Sequence, residues 1–245
     1  MKILLLAGTG EARGLAQELV AQGYDVIASL AGATRAPLDL GCETRVGGFG
    51  GDAGFEAWLD AHSVALVIDA THPFANRVTD RTARICAQRG VAFLQVNRPG
   101  WSPEDGDVWH MIDAPEDAAE HIRAGAKVFL ATGRQTLEQF ENLSDCTLFC
   151  RQIDPPSGPF PFPNGKFVVG RPPFSVDEEV ALFTMLGVDV LVVKNAGGDM
   201  SRSKLDAARA MGMPVVMIKR PARPIGPIVA SVAEALDWVA DFAQD

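Results

Sequence analysis

A chain of 245 residues holds one large domain or two small ones, and either can bury a core without disulfide or metal staples. Apolar residues make up 47% and charged residues 22%, the balance of a globular protein, and the net charge of −9 argues against nucleic acid as a partner. That charge also gives no attraction to an anionic membrane surface, and no apolar run approaches the roughly 18 residues of a membrane span. The first apolar run is too short for a signal-peptide core, so the expected compartment is the cytoplasm. Four cysteines (Cys42, Cys86, Cys146, Cys150) suit free thiols there, and the lone C-x-x-x-C of Cys146 and Cys150 lacks the further ligands of a zinc site.

In chain order the pattern is strand, turn, helix, repeated. Residues 3–7 predict a strand and 11–22 a helix; 25–30 a strand; 55–62 a helix; 65–70 a strand; 76–89 a helix; 91–96 a strand. Residues 97–107, NRPGWSPEDGD, carry two prolines, two glycines and three acids and read as an interdomain linker. Beyond it come strand 108–112, helix 115–123, strand 127–131, helix 135–142 and strand 147–150. Residues 154–166 hold five prolines and read as a loop or lid. Strand 167–170, helix 176–186, strand 190–194, helix 202–211, strand 214–218 and helix 231–242 complete the chain. Strands apolar on both faces that alternate with amphipathic helices predict parallel sheets covered on two sides. The expected architecture is two Rossmann-like, doubly wound α/β domains, 1–105 for a cofactor and 106–245 for a substrate.

The first turn is the strongest local signal. Residues 8–16, GTGEARGLA, join a strand to a helix, where a glycine turn admits a phosphate and the helix N-terminus offers free N–H groups. Gly8, Gly10 and Gly14 depart by one position from G-x-G-x-x-G. No acid follows the second strand to hold a ribose 2′-hydroxyl. Ser29, Thr34 and Arg35 stand there instead, which favours the 2′-phosphate of NADPH over NADH. In the second half, Ala131-Thr132-Gly133-Arg134 and Lys194-Asn195-Ala196-Gly197-Gly198 repeat the strand-to-glycine junction and invite an anion.

Some mechanisms are excluded. The single tyrosine, Tyr24, is followed four residues later by Ala28, so the Tyr-x-x-x-Lys pair of short-chain dehydrogenases is missing. Neither a Walker G-x-x-x-x-G-K-[ST] nor a G-x-S-x-G elbow occurs. Residues 69–75, DATHPFA, follow a buried strand and bring three polar side chains to its carboxyl end; His72 could donate a hydrogen bond or transfer a proton near neutral pH. Basic residues recur at strand ends (Arg98, Arg134, Arg151, Arg171, Lys194, Lys219, Arg220), which predicts a positive cleft within an acidic protein.

With these segments assembled, the chain resembles the precorrin-6A reductase family of cobalamin biosynthesis. The matching stretches are GTGEARGLA, SLAG (29–32), DATHPFA, ATGR (131–134), KNAGG with Lys204, and VVMIKRP (215–221). The resemblance implies NADPH-dependent hydride transfer to the polycarboxylate tetrapyrrole precorrin-6A, giving precorrin-6B. It further implies two Rossmann-like domains with the site between them and an exchange of strands. On that reading Gly8, Thr9, Gly10 and Arg13 bind pyrophosphate, and Ser29 and Arg35 the 2′-phosphate. Thr71 and His72 border the reacting groups. Arg134, Lys194, Gly197, Gly198, Ser201 and Lys204 anchor substrate carboxylates. The alternatives are a reductase of the cobalt-containing counterpart or of another anionic small molecule, and an NADPH-binding sensor without catalysis.

Overall fold

The computed structural model describes residues 1–32 and 38–244. In chain order the elements begin β1 (Lys2–Leu6), α1 (Gly10–Ala21), β2 (Asp25–Leu30), β3 (Glu43–Val46), α2 (Gly51–His62), β4 (Leu66–Asp69), α3 (Asn76–Arg89), β5 (Ala92–Val96) and β6 (Trp109–Ile112). A 3-10 helix (Pro115–His121), β7 (Lys127–Ala131), a second 3-10 helix (Arg134–Leu143), β8 (Thr147–Gln152) and β9 (Gly165–Val169) follow. The chain ends with α4 (Val176–Leu186), β10 (Val190–Lys194), a 3-10 turn (Asp199–Ser201), α5 (Ser203–Ala210), β11 (Val215–Ile218), β12 (Ile228–Val229) and α6 (Val232–Phe242).

These elements make two compact units, Met1–Pro99 together with the chain from Pro221 onward, and Gly100–Arg220. Each carries a six-stranded sheet, ordered β12-β5-β4-β1-β2-β3 in the first and β6-β11-β10-β7-β8-β9 in the second. Every strand pair is parallel. The period-2 geometry of a strand sorts β1 between two cores. Ile3 and Leu5 pack with Leu15 and Leu19 of α1 and Ala235 and Val239 of α6. Leu4 and Leu6 pack with Phe55 and Leu59 of α2 and Ile85 and Cys86 of α3. In the second unit Phe129, Leu191 and Val193 pack with Phe183 of α4 and Leu205 of α5. The two longer 3-10 helices bury Ala118, Leu137, Phe140 and Leu143.

The same winding recurs in both sheets. In the first, β1 leads outward to β2 and β3, while β4 leads the other way to β5, so the switch point lies between β1 and β4. In the second, β7 leads to β8 and β9, and β10 leads to β11, so the switch point lies between β7 and β10. Open α/β sheets bind ligands at the carboxyl ends of the strands flanking such a point.

The structure corrects the expected boundaries. The linker expected at 97–107 is no free tether. Its Trp101 is buried, and the units divide within it, between Pro99 and Gly100. The chain from Pro221, expected in the second domain, belongs to the first. Ile228 and Val229 pair with Gln95 and Val96, and α6 lies on α1. A two-residue strand has no periodicity to read, and the choice of sheet is a long-range pairing. The helices expected at 115–123 and 135–142 are 3-10. Strands β3 and β12 were not legible, because β3 is exposed along most of its length and β12 is short.

Candidate functional site

In the first unit the switch point is built from the loops after β1 and β4. Gly8 has φ +141, a backbone conformation that side-chain-bearing residues rarely adopt; a Cβ there would meet nothing within 4 Å, so conformation rather than space requires glycine. Thr9 is the N-cap of α1. Its hydroxyl accepts from the Ala12 N–H (3.2 Å) and donates to the Ala70 carbonyl (2.8 Å), tying the two loops together. The Thr9 side chain is thereby used locally, which leaves the first-turn N–H groups of Gly10 and Glu11 to face a ligand. Glu11 would oppose an anion, but Arg98 pairs with it at 2.7 Å. Arg13 lies half-buried one turn into the helix. Gly14, the displaced third glycine, faces α6, where a Cβ would stand 4.0 Å from Val232.

The loop after β4 is organised by a buried carboxylate. Asp69 is 2% exposed and accepts from the Thr71 N–H (3.0 Å) and hydroxyl (2.6 Å) and from the Thr79 hydroxyl (2.5 Å). Arg223, from the returning C-terminal segment, lies 3.8 Å from this carboxylate and donates to Thr79 Oγ1 at 3.0 Å. Thr71 therefore holds the loop in shape. His72 is exposed, and its Nδ1 accepts from the Phe74 N–H at 3.3 Å, so the neutral ring carries its proton on Nε2. Sequence reasoning missed both Asp69 as an organiser and Arg223.

Ser29, at the end of β2, is buried, and its hydroxyl accepts from Arg45 at 2.7 Å. Arg45 went unnoticed because its strand, β3, did. Thr34 and Arg35 lie outside the described residues.

In the second unit the loops after β7 and β10 meet at Lys194, whose ammonium donates to the Thr132 carbonyl at 2.9 Å. Burial holds Lys194 below its ordinary lysine value, against a smaller upward pull from Cys150. Thr132 Oγ1 is buried and makes no hydrogen bond among the described residues. The loop after β10 is clamped. Asn195 accepts from the Trp101 N–H (2.7 Å) and donates to its carbonyl (3.0 Å), and Trp101 Nε1 donates to the Gly198 carbonyl (3.0 Å). Arg220 donates to the carbonyls of Asn195 (2.7 Å) and Ala196 (2.8 Å). Gly197 and Gly198 turn with φ +66 and +79. Lys204 donates to the Ser201 carbonyl, and its ammonium sits 5.2 Å over the Trp101 ring. The fold thus gathers Lys194, Gly197, Gly198, Ser201 and Lys204 at one switch point. Arg134 starts the facing 3-10 helix, exposed, with a long contact to Ser157 (3.5 Å).

Several of the strand-end cations are paired with carboxylates of their own unit. Arg151 is held by Glu179 through two hydrogen bonds, at 2.6 and 2.7 Å, Lys219 by Asp113 at 3.0 Å, and Arg98 by Glu11. These cations stabilise the fold locally. Arg134, at the start of the second 3-10 helix, and Lys194 and Lys204, at the loop after β10, are the candidates for anion recognition.

The family profile described as "Precorrin-6x reductase CbiJ/CobK" matches residues 2–240. The chain belongs to this family. A precorrin-6A reductase of Rhodobacter capsulatus is 41% identical over 241 residues, covering 98% of this chain and 96% of the relative. A solved structure titled "CobK precorrin-6A reductase" superposes with a TM-score of 0.93 at 40% identity, covering 98% of this chain and 96% of that one. A cobalt-precorrin-6A reductase of Priestia megaterium is more distant, 28% identical over 96% of each chain. The family is one of reductases. Among the described residues no helix is long and apolar enough to cross a membrane.

Proposed function

We propose that this chain reduces precorrin-6A to precorrin-6B with NADPH. The observation that carries the reading is the near-complete match, in sequence and in backbone, to proteins named precorrin-6A reductase. The metal-free substrate is favoured over the cobalt-containing one by the gap between 41% and 28% identity to relatives named for each.

The first switch point suits a dinucleotide. Gly8 and Gly10 leave backbone N–H groups open at the N-terminus of a twelve-residue helix, where the helix dipole favours a pyrophosphate. Thr9 fixes the angle of that helix to the loop after β4, and Arg13 adds positive charge one turn in. Ser29 and Arg35 take the 2′-phosphate. When bound, NADPH supplies the hydride, and the ring system takes up a proton as well. Thr71 and Asp69 hold the loop that carries His72, which borders the reacting groups. The second switch point suits the acetate and propionate groups of the macrocycle. Arg134, Lys194, Ser201 and Lys204, with the N–H groups of Gly197 and Gly198, bind them. Much of the rate then comes from holding two reactants in register.

The test is anaerobic incubation of the protein with NADPH and precorrin-6A. Loss of reduced-nicotinamide absorbance with a product two hydrogens heavier supports the reading. Turnover with cobalt-precorrin-6A alone, or NADPH binding without oxidation, overturns it in favour of the cobalt route or of a sensor.

A further inference from the structure

We infer that Arg45, paired with Ser29, is a specificity-determining residue that recognises the 2′-phosphate of the nucleotide. This deepens the proposed cofactor reading and rests on it. The register of β2 and β3 sets Ser29 beside Arg45. In a parallel pair, residues in register send their side chains to the same face. The pair lies at the carboxyl ends of β2, which neighbours β1, and of β3 beyond it, and the Ala7 N–H donates to the Ser29 carbonyl at 2.9 Å, immediately before Gly8. That edge is where the ribose beyond a pyrophosphate falls in a doubly wound sheet.

The guanidinium is held in one orientation. Nη1 donates to Ser29 Oγ (2.7 Å) and to the Gly47 carbonyl (3.0 Å), and Nη2 donates to the Gly48 carbonyl (2.9 Å). Its carbon lies 3.8 Å from the centroid of the Phe49 ring, which is itself braced edge-on by Phe55 and Trp58. All of these partners are neutral. Burial holds the Arg45 guanidinium below its ordinary value, and none of its hydrogen-bond partners among the described residues is a carboxylate. The neighbouring residues 33–37, which the structure does not describe, read Ala-Thr-Arg-Ala-Pro and contain no acid. A half-buried cation without an anion is costly unless a ligand supplies one. Three of five N–H donors are engaged, and the Ser29 hydroxyl, which accepts from Arg45, keeps its own proton to donate. Two remaining guanidinium donors and one hydroxyl donor match the oxygens of a phosphomonoester. Positions 29 and 45 are sixteen apart in sequence, and only the β2–β3 pairing joins them.

The test measures binding and turnover. Calorimetry compares 2′,5′-ADP with 5′-AMP on the wild type and on Arg45→Met, which keeps the apolar contact with Phe49. The wild type should prefer 2′,5′-ADP, and the variant should lose about 10- to 100-fold of that preference, the range of one or two charge-assisted hydrogen bonds. The NADPH-to-NADH ratio of kcat/KM should fall by the same factor. Ser29→Ala and Arg45→Lys carry the test if Arg45→Met fails to fold; each should lose part of the preference. An unchanged preference in the folded variants overturns the role of Arg45. A wild type that binds neither adenine nucleotide nor nicotinamide overturns the cofactor reading itself.

Discussion

Replacing Asp69 by alanine should loosen the first unit and leave the second alone. The carboxylate accepts three hydrogen bonds, from the N–H and hydroxyl of Thr71 and from the hydroxyl of Thr79. Bonds to a charged group contribute about 1.5–3 kcal/mol each, but not all would be lost. Thr79 Oγ1 already lies 3.3 Å from the Ala75 carbonyl and can turn to it, and Thr71 is half-buried and can find water. Arg223 cannot recover so easily. Its side chain is 11% exposed, and among the described residues its carboxylate partner is Asp69. Removing one partner from a buried pair costs about 3–5 kcal/mol, and that is the expected loss. Asp69→Asn keeps an acceptor for Thr71 but turns an N–H toward Thr79 Oγ1, which already accepts from Arg223; about 1–3 kcal/mol is expected there. Hydrogen exchange read by mass spectrometry on peptides from β1 and β4 gives the local opening free energy. Peptides from β7 and β10 serve as the internal control. A loss under about 1 kcal/mol in Asp69→Ala, or an equal loss in the second unit, would refute the reasoning.

Asn195→Ala should free the loop after β10, because it strands the N–H and carbonyl of buried Trp101; residues 196–202 should exchange faster, and the substrate KM should rise about tenfold, with the NADPH KM unmoved. Parallel rises in both KM values would argue against a local effect. Burial pushes the Asp107 carboxyl up, but hydrogen bonds from Arg209 and the Glu104 N–H outweigh it and hold it below its ordinary 3.8. Its contribution to stability is thus full above 3.8 and is lost as pH falls through the lower native value, and Asp107→Asn should flatten urea midpoints across that acid range. With a thiol reagent at mildly alkaline pH, half-buried Cys42 should react first. Burial pushes Cys86 up to about 12 and Cys150 up to about 11, so these two and buried Cys146 should react only on unfolding; simultaneous labelling of all four in native protein would contradict the packing.

Much of the fold was legible because its strands are buried on both faces and its helices on one. Short runs such as 127–131 and 190–194 have no polar interruption, and helix 11–22 carries the apolar spacing of a covered face, burying Ala12, Leu15, Ala16 and Leu19. The glycine junctions at 8, 133 and 197–198 were visible for the same local reason, since positive φ selects glycine at each of these turns off a strand. Much less of the site's internal wiring could be read. A cation at a strand end looks the same in sequence whether it faces a ligand or, like Arg151, a buried Glu179 twenty-eight positions away. Thr71 looked like a reacting group, and its hydroxyl is bound to Asp69.

The sequence by itself determined the parallel α/β class, the two glycine-rich switch loops and the family, because each rests on local periodicity or on contiguous motifs. The tertiary structure alone decided which sheet the last strand joins, which cations are neutralised, and that Arg45 stands beside Ser29. All three depend on which distant segments pair. Pairing is fixed by burying both faces of a sheet and satisfying its edge, a condition on the whole chain that no window of neighbouring residues expresses.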